Sequence, residues 1–145
     1  MSRSGYNMDG DGNQWGLICW RGAVNSAIRG KRGQLALREM AVALDALPVK
    51  ELAAHSLVAA DGACCTLGAL GIARGMNLTA LGADGTDDVD MGAVASAFGI
   101  APALAREIVF ENDEGHWQHE SPRDRWHRMR AWVARQIVTP NHHHP

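Results

Sequence analysis

Leu17, Trp20, Val24, Ala27 and Ile28 recur every three or four positions, the spacing that puts side chains on one face of a helix, and Gly30 interrupts the run. Gly30-Lys31-Arg32-Gly33 reads as a short basic connection. After it Leu37, Met40, Ala41, Leu44 and Leu47 form a second stripe ending near Pro48, so the two segments are expected to pair as a helical hairpin. From Thr66, read as an N-cap, Leu67, Leu70 and Ile72 lead to Gly75 as the C-terminal cap. The small residues Gly68, Ala69, Gly71 and Ala73 predict that this central helix is buried against another backbone. One turn of helix is expected around Leu78 to Leu81. Asp90 then caps a helix carrying Met91, Val94, Ala95 and Phe98, which Gly99 closes. Pro102 opens a helix with Leu104, Ala105 and Ile108 inward. Ser121, Pro122 and Asp124 open the last one, whose stripe is Trp126, Met129, Val133 and Ile137.

These elements predict an all-α single domain of five or six helices over residues 14–138. Its expected core is Trp20, Val24, Leu44, Leu67, Leu70, Phe98, Ile108, Trp126 and Val133. Residues 1–13, rich in glycine and aspartate, and the histidine-containing tail 139–145 are expected to be flexible. One segment breaks the helical rhythm. Leu57 to Cys65 contains Asp61-Gly62, a pair that favours a two-residue turn, so a small β-hairpin or a helix end with a loop is expected there.

Composition narrows the picture little: 46% apolar and 21% charged residues are ordinary for a globular domain. No apolar run approaches the roughly 20 residues of a membrane span, and the polar start lacks a secretory signal, so a cytoplasmic location without membrane contact is expected. The net charge of -2 is unevenly placed. Arg21, Arg29, Lys31, Arg32 and Arg38 form one basic group, and Arg123, Arg125, Arg128, Arg130 and Arg135 form another. Asp84, Asp87, Asp88 and Asp90 form an acidic one.

Candidate chemistry is sparse. Cys19, Cys64 and Cys65 lack metal-ligand spacing and their odd number argues against a disulfide framework, so they read as structural thiols. A nucleophile at Cys65 requires His55 or His116 to approach it in space. Asn112, Asp113 and Glu114, with His116 and His119, form the best polar cluster for acid, base or ligand chemistry. The competing reading is a turn in which Asn112 or Asp113 caps itself and Gly115 permits the reversal. Asp9-Gly10-Asp11-Gly12-Asn13 begins like a calcium loop, but Trp20 stands at the twelfth position in place of the required acid. The terminal histidines offer only loose metal contacts, and no cofactor is expected.

Val94, Ala95, Phe98, Gly99, Ile100, Ala105 and Ile108 have the spacing of a helix-turn-helix core. The would-be reading helix, however, offers only Arg106 as a donor. Nucleic-acid binding, drawing affinity from Arg29, Lys31, Arg32, Arg106, Arg123, Arg125 and Arg128, is therefore the second functional expectation. The first is a non-catalytic accessory or protein-interaction module, because phosphate loops, paired metal motifs and nucleophile elbows are absent. A small cysteine- or carboxylate-dependent enzyme using Cys65, Asn112, Asp113 and His116 is the third.

The order of features resembles a group of small proteins of bacteriophages, prophages and bacterial genomes. That group has a tryptophan-containing N-terminal helix, a Cys-Cys-Leu-Gly or Cys-Ala-Leu-Gly-Ala-Leu segment, an Asn-Asp-x-Gly turn and a C-terminal helix. Here Trp20, Cys64 to Leu70, Asn112, Asp113, Gly115 and the helix around Trp126 carry the likeness, which runs from about residue 15 to 138. Thr66 departs from the pattern by separating Cys65 from Leu67. The resemblance implies a phage-related setting and no activity.

Overall fold

The computed structural model describes residues 14–81, 90–115 and 119–138. Among these residues the chain forms six α-helices, α1 (Gln14–Arg29), α2 (Lys31–Ala46), α3 (Thr66–Ala73), α4 (Met91–Phe98), α5 (Pro102–Glu114) and α6 (Pro122–Gln136). A single 3-10 turn lies at Leu78–Leu81. This is the all-α fold expected. The segments 1–13 and 139–145, most of the acidic group and His116 lie outside the described residues.

The helix ends follow local chemistry. The Asp90 carboxylate accepts from the N–H groups of Gly92 and Ala93 at the start of α4, and the Ser121 hydroxyl accepts from Asp124 N–H at the start of α6. Each satisfies donors that the first helical turn leaves open. Gly99 ends α4 in the left-handed region at φ 70°, where a side chain would be strained. α4 and α5 are then bent by 105°. No single helix among the described residues is long and apolar enough to cross a membrane.

α2 packs against α3 on one side and α6 on another, while α5 is held by α1, α3 and α4. α2 and α6 run antiparallel. Gln34 donates to the Gln136 carbonyl at one end, and the indole N–H of Trp126 donates to the Leu44 carbonyl at the other. Of the nine expected core residues, eight are buried and Trp20 is half-buried against the cluster. Burying one large aliphatic side chain contributes about 1.5–3 kcal/mol, so the stripes orient the helices.

Three local expectations need correction. Residues 30–33 are not a connection, because α2 begins at Lys31 and only Gly30 separates it from α1. Gly33 lies inside α2 at a close approach to α1, where a Cβ would stand 2.0 Å from the Ala27 carbonyl oxygen. Thr66 is the first residue of α3 and not its cap; the Cys65 thiol caps the helix, accepting from Gly68 N–H at 3.4 Å. Asp61-Gly62 is not the centre of a two-residue turn, since that turn needs positive φ at both residues and only Gly62 has it. Gly62 N–H instead donates to Ala59 O and Ala59 N–H to Ala63 O, giving a three-residue reversal. A single antiparallel bridge, Val58 to Cys64, is all the β structure it carries. The reversal lies hard against α3: a Cβ on Gly68 would sit 2.0 Å from the Leu57 carbonyl oxygen.

Candidate functional site

The two motifs singled out in the sequence, 46 residues apart, meet in space. Asn112 is in the last turn of α5, fully buried, and its amide oxygen accepts from Thr66 N–H at 3.0 Å and from the Thr66 hydroxyl at 2.8 Å. Its amide nitrogen donates to Ala53 O and to an Asp113 carboxylate oxygen, both at 2.9 Å. One side chain thus caps α3 from another helix and pins the non-helical segment between α2 and α3. The expected self-capped turn at Asn112-Asp113 is corrected, because both residues are helical and Gly115 has an ordinary φ of -71°. Glycine is required at 115 for space: a Cβ there would stand 2.5 Å from the Glu111 carbonyl oxygen and 2.7 Å from an Arg128 guanidinium nitrogen.

Asp113 extends the junction to His55. The same carboxylate oxygen accepts from His55 N–H at 3.0 Å, and the other lies 3.8 Å from His55 Nδ1. This anchor holds His55 at φ 67°, the left-handed region that side chains rarely adopt. The imidazole itself is 60% exposed.

Cys64 and Cys65 are poorly suited to nucleophilic work, and Cys19, read as a structural thiol, is instead exposed on α1. Burial, with Cys65 beside it, pushes the Cys64 thiol up to about 12, so it stays protonated at neutral pH. Cys65 is buried and its sulfur is occupied in capping α3. The polar junction has the chemistry of a structural clasp.

Several candidate cations are also engaged inside the fold. Arg128 forms a two-pronged pair with buried Glu120 at 2.7 and 2.9 Å and donates to the carbonyls of Glu111 and Asn112, closing the C-terminal end of α5. Arg125 donates to the carbonyls of Leu52 and Glu120. Arg106 lies 5.8 Å from the centre of the Trp20 ring, with its Nε buried. These three are corrected from surface readers to internal fasteners. α5 packs against α1, α3, α4 and α6, and its Leu104, Ala105 and Ile108 are buried in the core.

Arg29, Lys31, Arg32 and Arg123 are exposed and form no ion pair or hydrogen bond among the described residues. Arg123 stands at the opposite end of α6 from Gln136, about 20 Å along the helix, and so lies apart from the first basic group. The first group is coherent except for Arg21, which pairs with Glu107 of α5 at 2.8 Å. Arg29 and Arg38, with Gln34 and Val138, line an open groove of about 540 Å³ at the corner between α1 and α2. The amide of Gln34 is fully used on the carbonyls of Ile28 and Gln136 and the N–H of Val138, which fixes the groove floor. This groove was invisible in the sequence because Val138 joins it only through the antiparallel docking of α6.

No protein-family model matches the chain, and neither does any curated protein or solved structure. Fold and geometry define a small all-helical protein with a structural polar centre and a basic corner.

Proposed function

We propose that this chain is a non-catalytic protein-interaction module, in the phage-related setting its motifs resemble, that docks an acidic partner at the corner between α1 and α2. The observation that carries the reading is the uncompensated charge of Arg29, Lys31 and Arg32 beside the groove walled by Arg38. Among the other candidate groups, Cys65, Asn112, Asp113, Arg106, Arg125 and Arg128 are buried or engaged within the fold, while Arg123, Arg135 and His119 are exposed. A concentration of like charge with apolar walls steers an oppositely charged partner and sets its register.

A pull-down from bacterial lysate with wild type and the Lys31→Glu/Arg32→Glu double variant tests this. Recovery of a defined protein by wild type and its loss in the variant supports the module. Repeated recovery of nucleic acid in place of protein, or recovery unaffected by the charge reversal, refutes it.

A further inference from the structure

We propose that the exposed face of α2 is the docking track for an acidic amphipathic helix of a partner protein; this deepens, and rests on, the module reading above. Lys31, Leu35, Arg38 and Val42 fall within about 60° of one another around α2, at three- and four-residue steps. They form one stripe about 16 Å long. Leu35 and Val42 are 62% and 69% exposed, large values for side chains that lose free energy in water, and they alternate with the two cations. Val138, 52% exposed, extends the apolar surface across the groove beside Arg38.

The stripe is positive because its neighbours are neutralised. Glu39, on one flank, is bridged by Arg74 of the α3 end at 2.8 and 3.2 Å. Asp45, at the C-terminal end, is bridged by Arg130 of α6 at 2.8 and 2.9 Å, and that hydrogen-bonded guanidinium holds its carboxyl below the usual range. Among the described residues no carboxylate pairs with Arg29, Lys31, Arg32 or Arg38, and Arg38 donates only to the Val138 carbonyl. A partner must therefore bring carboxylates and apolar side chains together.

The geometry selects a helix. Leu35 and Val42 are seven residues apart, the heptad step at which a second helix presents successive apolar knobs, and Lys31 and Arg38 take the alternate steps of the same seam, so the facing row of the partner helix must alternate apolar side chains with carboxylates. Nucleic acid is the weaker fit. α2 contains no aromatic residue on which a base could stack, and phosphates gain nothing from Leu35 or Val42.

The test uses a synthetic helix of about three heptads with leucine and glutamate alternating at the a and d positions. Its anisotropy is measured against the full chain, beside a scrambled peptide of the same composition and a single-stranded oligonucleotide. Two variants accompany wild type: Leu35→Ser/Val42→Ser, and Lys31→Glu/Arg32→Glu. The second puts acids in the first turn of α2, where the helix dipole favours them, so a loss of binding there is not a loss of fold. The expected result is saturable binding of the designed helix, weakened at least about tenfold by either variant, by scrambling, or by raising salt well beyond physiological strength. No binding, equal binding of the scrambled peptide, tighter binding of the oligonucleotide, or indifference to both variants overturns the proposal. Failure here with charge-dependent protein capture in the lysate experiment sinks the helix track and leaves the module standing.

Discussion

Replacing Asn112 by alanine should be among the most damaging single changes in the chain, and the structure gives the size of the effect. The substitution strands Thr66 N–H, the Thr66 hydroxyl and the Ala53 carbonyl, the first two at a residue with no solvent exposure. At about 1–2 kcal/mol for each stranded group, the cost is about 3–6 kcal/mol. Domains of this size hold about 5–15 kcal/mol in total, so the variant should fold but melt early. Asn112→Asp sharpens the test. It keeps the shape and the acceptor facing Thr66, but turns the donor facing Ala53 O and the Asp113 carboxylate into an acceptor. At neutral pH it should therefore be worse than alanine. The introduced carboxyl, facing acceptors, has a raised folded pKa, so its penalty is complete above that pKa and is relieved as pH falls through it. Urea titrations followed by tryptophan fluorescence at several pH values read both effects. The clasp argument fails if Asn112→Ala costs less than about 0.5 kcal/mol, or if Asn112→Asp is no worse than alanine at neutral pH and unaffected by acid.

Other substitutions probe separate parts of the account. His55→Gly should stabilise the chain by about 0.5–1 kcal/mol, because it removes a Cβ from the left-handed region while the backbone bond to Asp113 survives; a lower melting temperature would contradict the strain argument. The Glu111 carboxyl is raised first by burial and then by the neighbouring Glu107 charge, so its contribution is most favourable below the usual glutamate range and is lost as pH rises through its folded pKa. Glu111→Gln should accordingly raise the melting temperature at neutral pH and lose that advantage near pH about 4, measured by paired thermal melts. Trp126→Ala should cost about 3–5 kcal/mol, since it empties a core position and removes the indole bond to the Leu44 carbonyl; a near-neutral result would mean that the packing of α2 on α6 is misjudged.

The parts of the fold legible in the sequence were those set by neighbours in the chain. Asp90, Gly99, Pro102 and Ser121 marked helix ends because capping acts over three or four residues. Gly33 was misread as punctuation, since only the approach of α1 reveals why a Cβ is forbidden there. Asn112 stood out in sequence, but its partner Thr66 is an ordinary residue whose role depends on α3 and α5 meeting end to face. Arg125 and Arg128 looked like surface charge for the same reason: the carbonyls and the Glu120 carboxylate they fasten are supplied by tertiary packing. Arg29, Lys31 and Arg32 were legible because exposed charge at a helix corner needs no tertiary partner to persist.

The claim that this chain binds through α2 and not through its polar junction is tested most directly by mapping amide shifts during a titration with the acidic designed helix. The account predicts changes concentrated at residues 29–42 and 135–138, with the amides of Cys65, Thr66, Asn112 and Asp113 unmoved. Shifts centred on His55, Thr66 and Asp113, with Leu35 and Val42 silent, would contradict it.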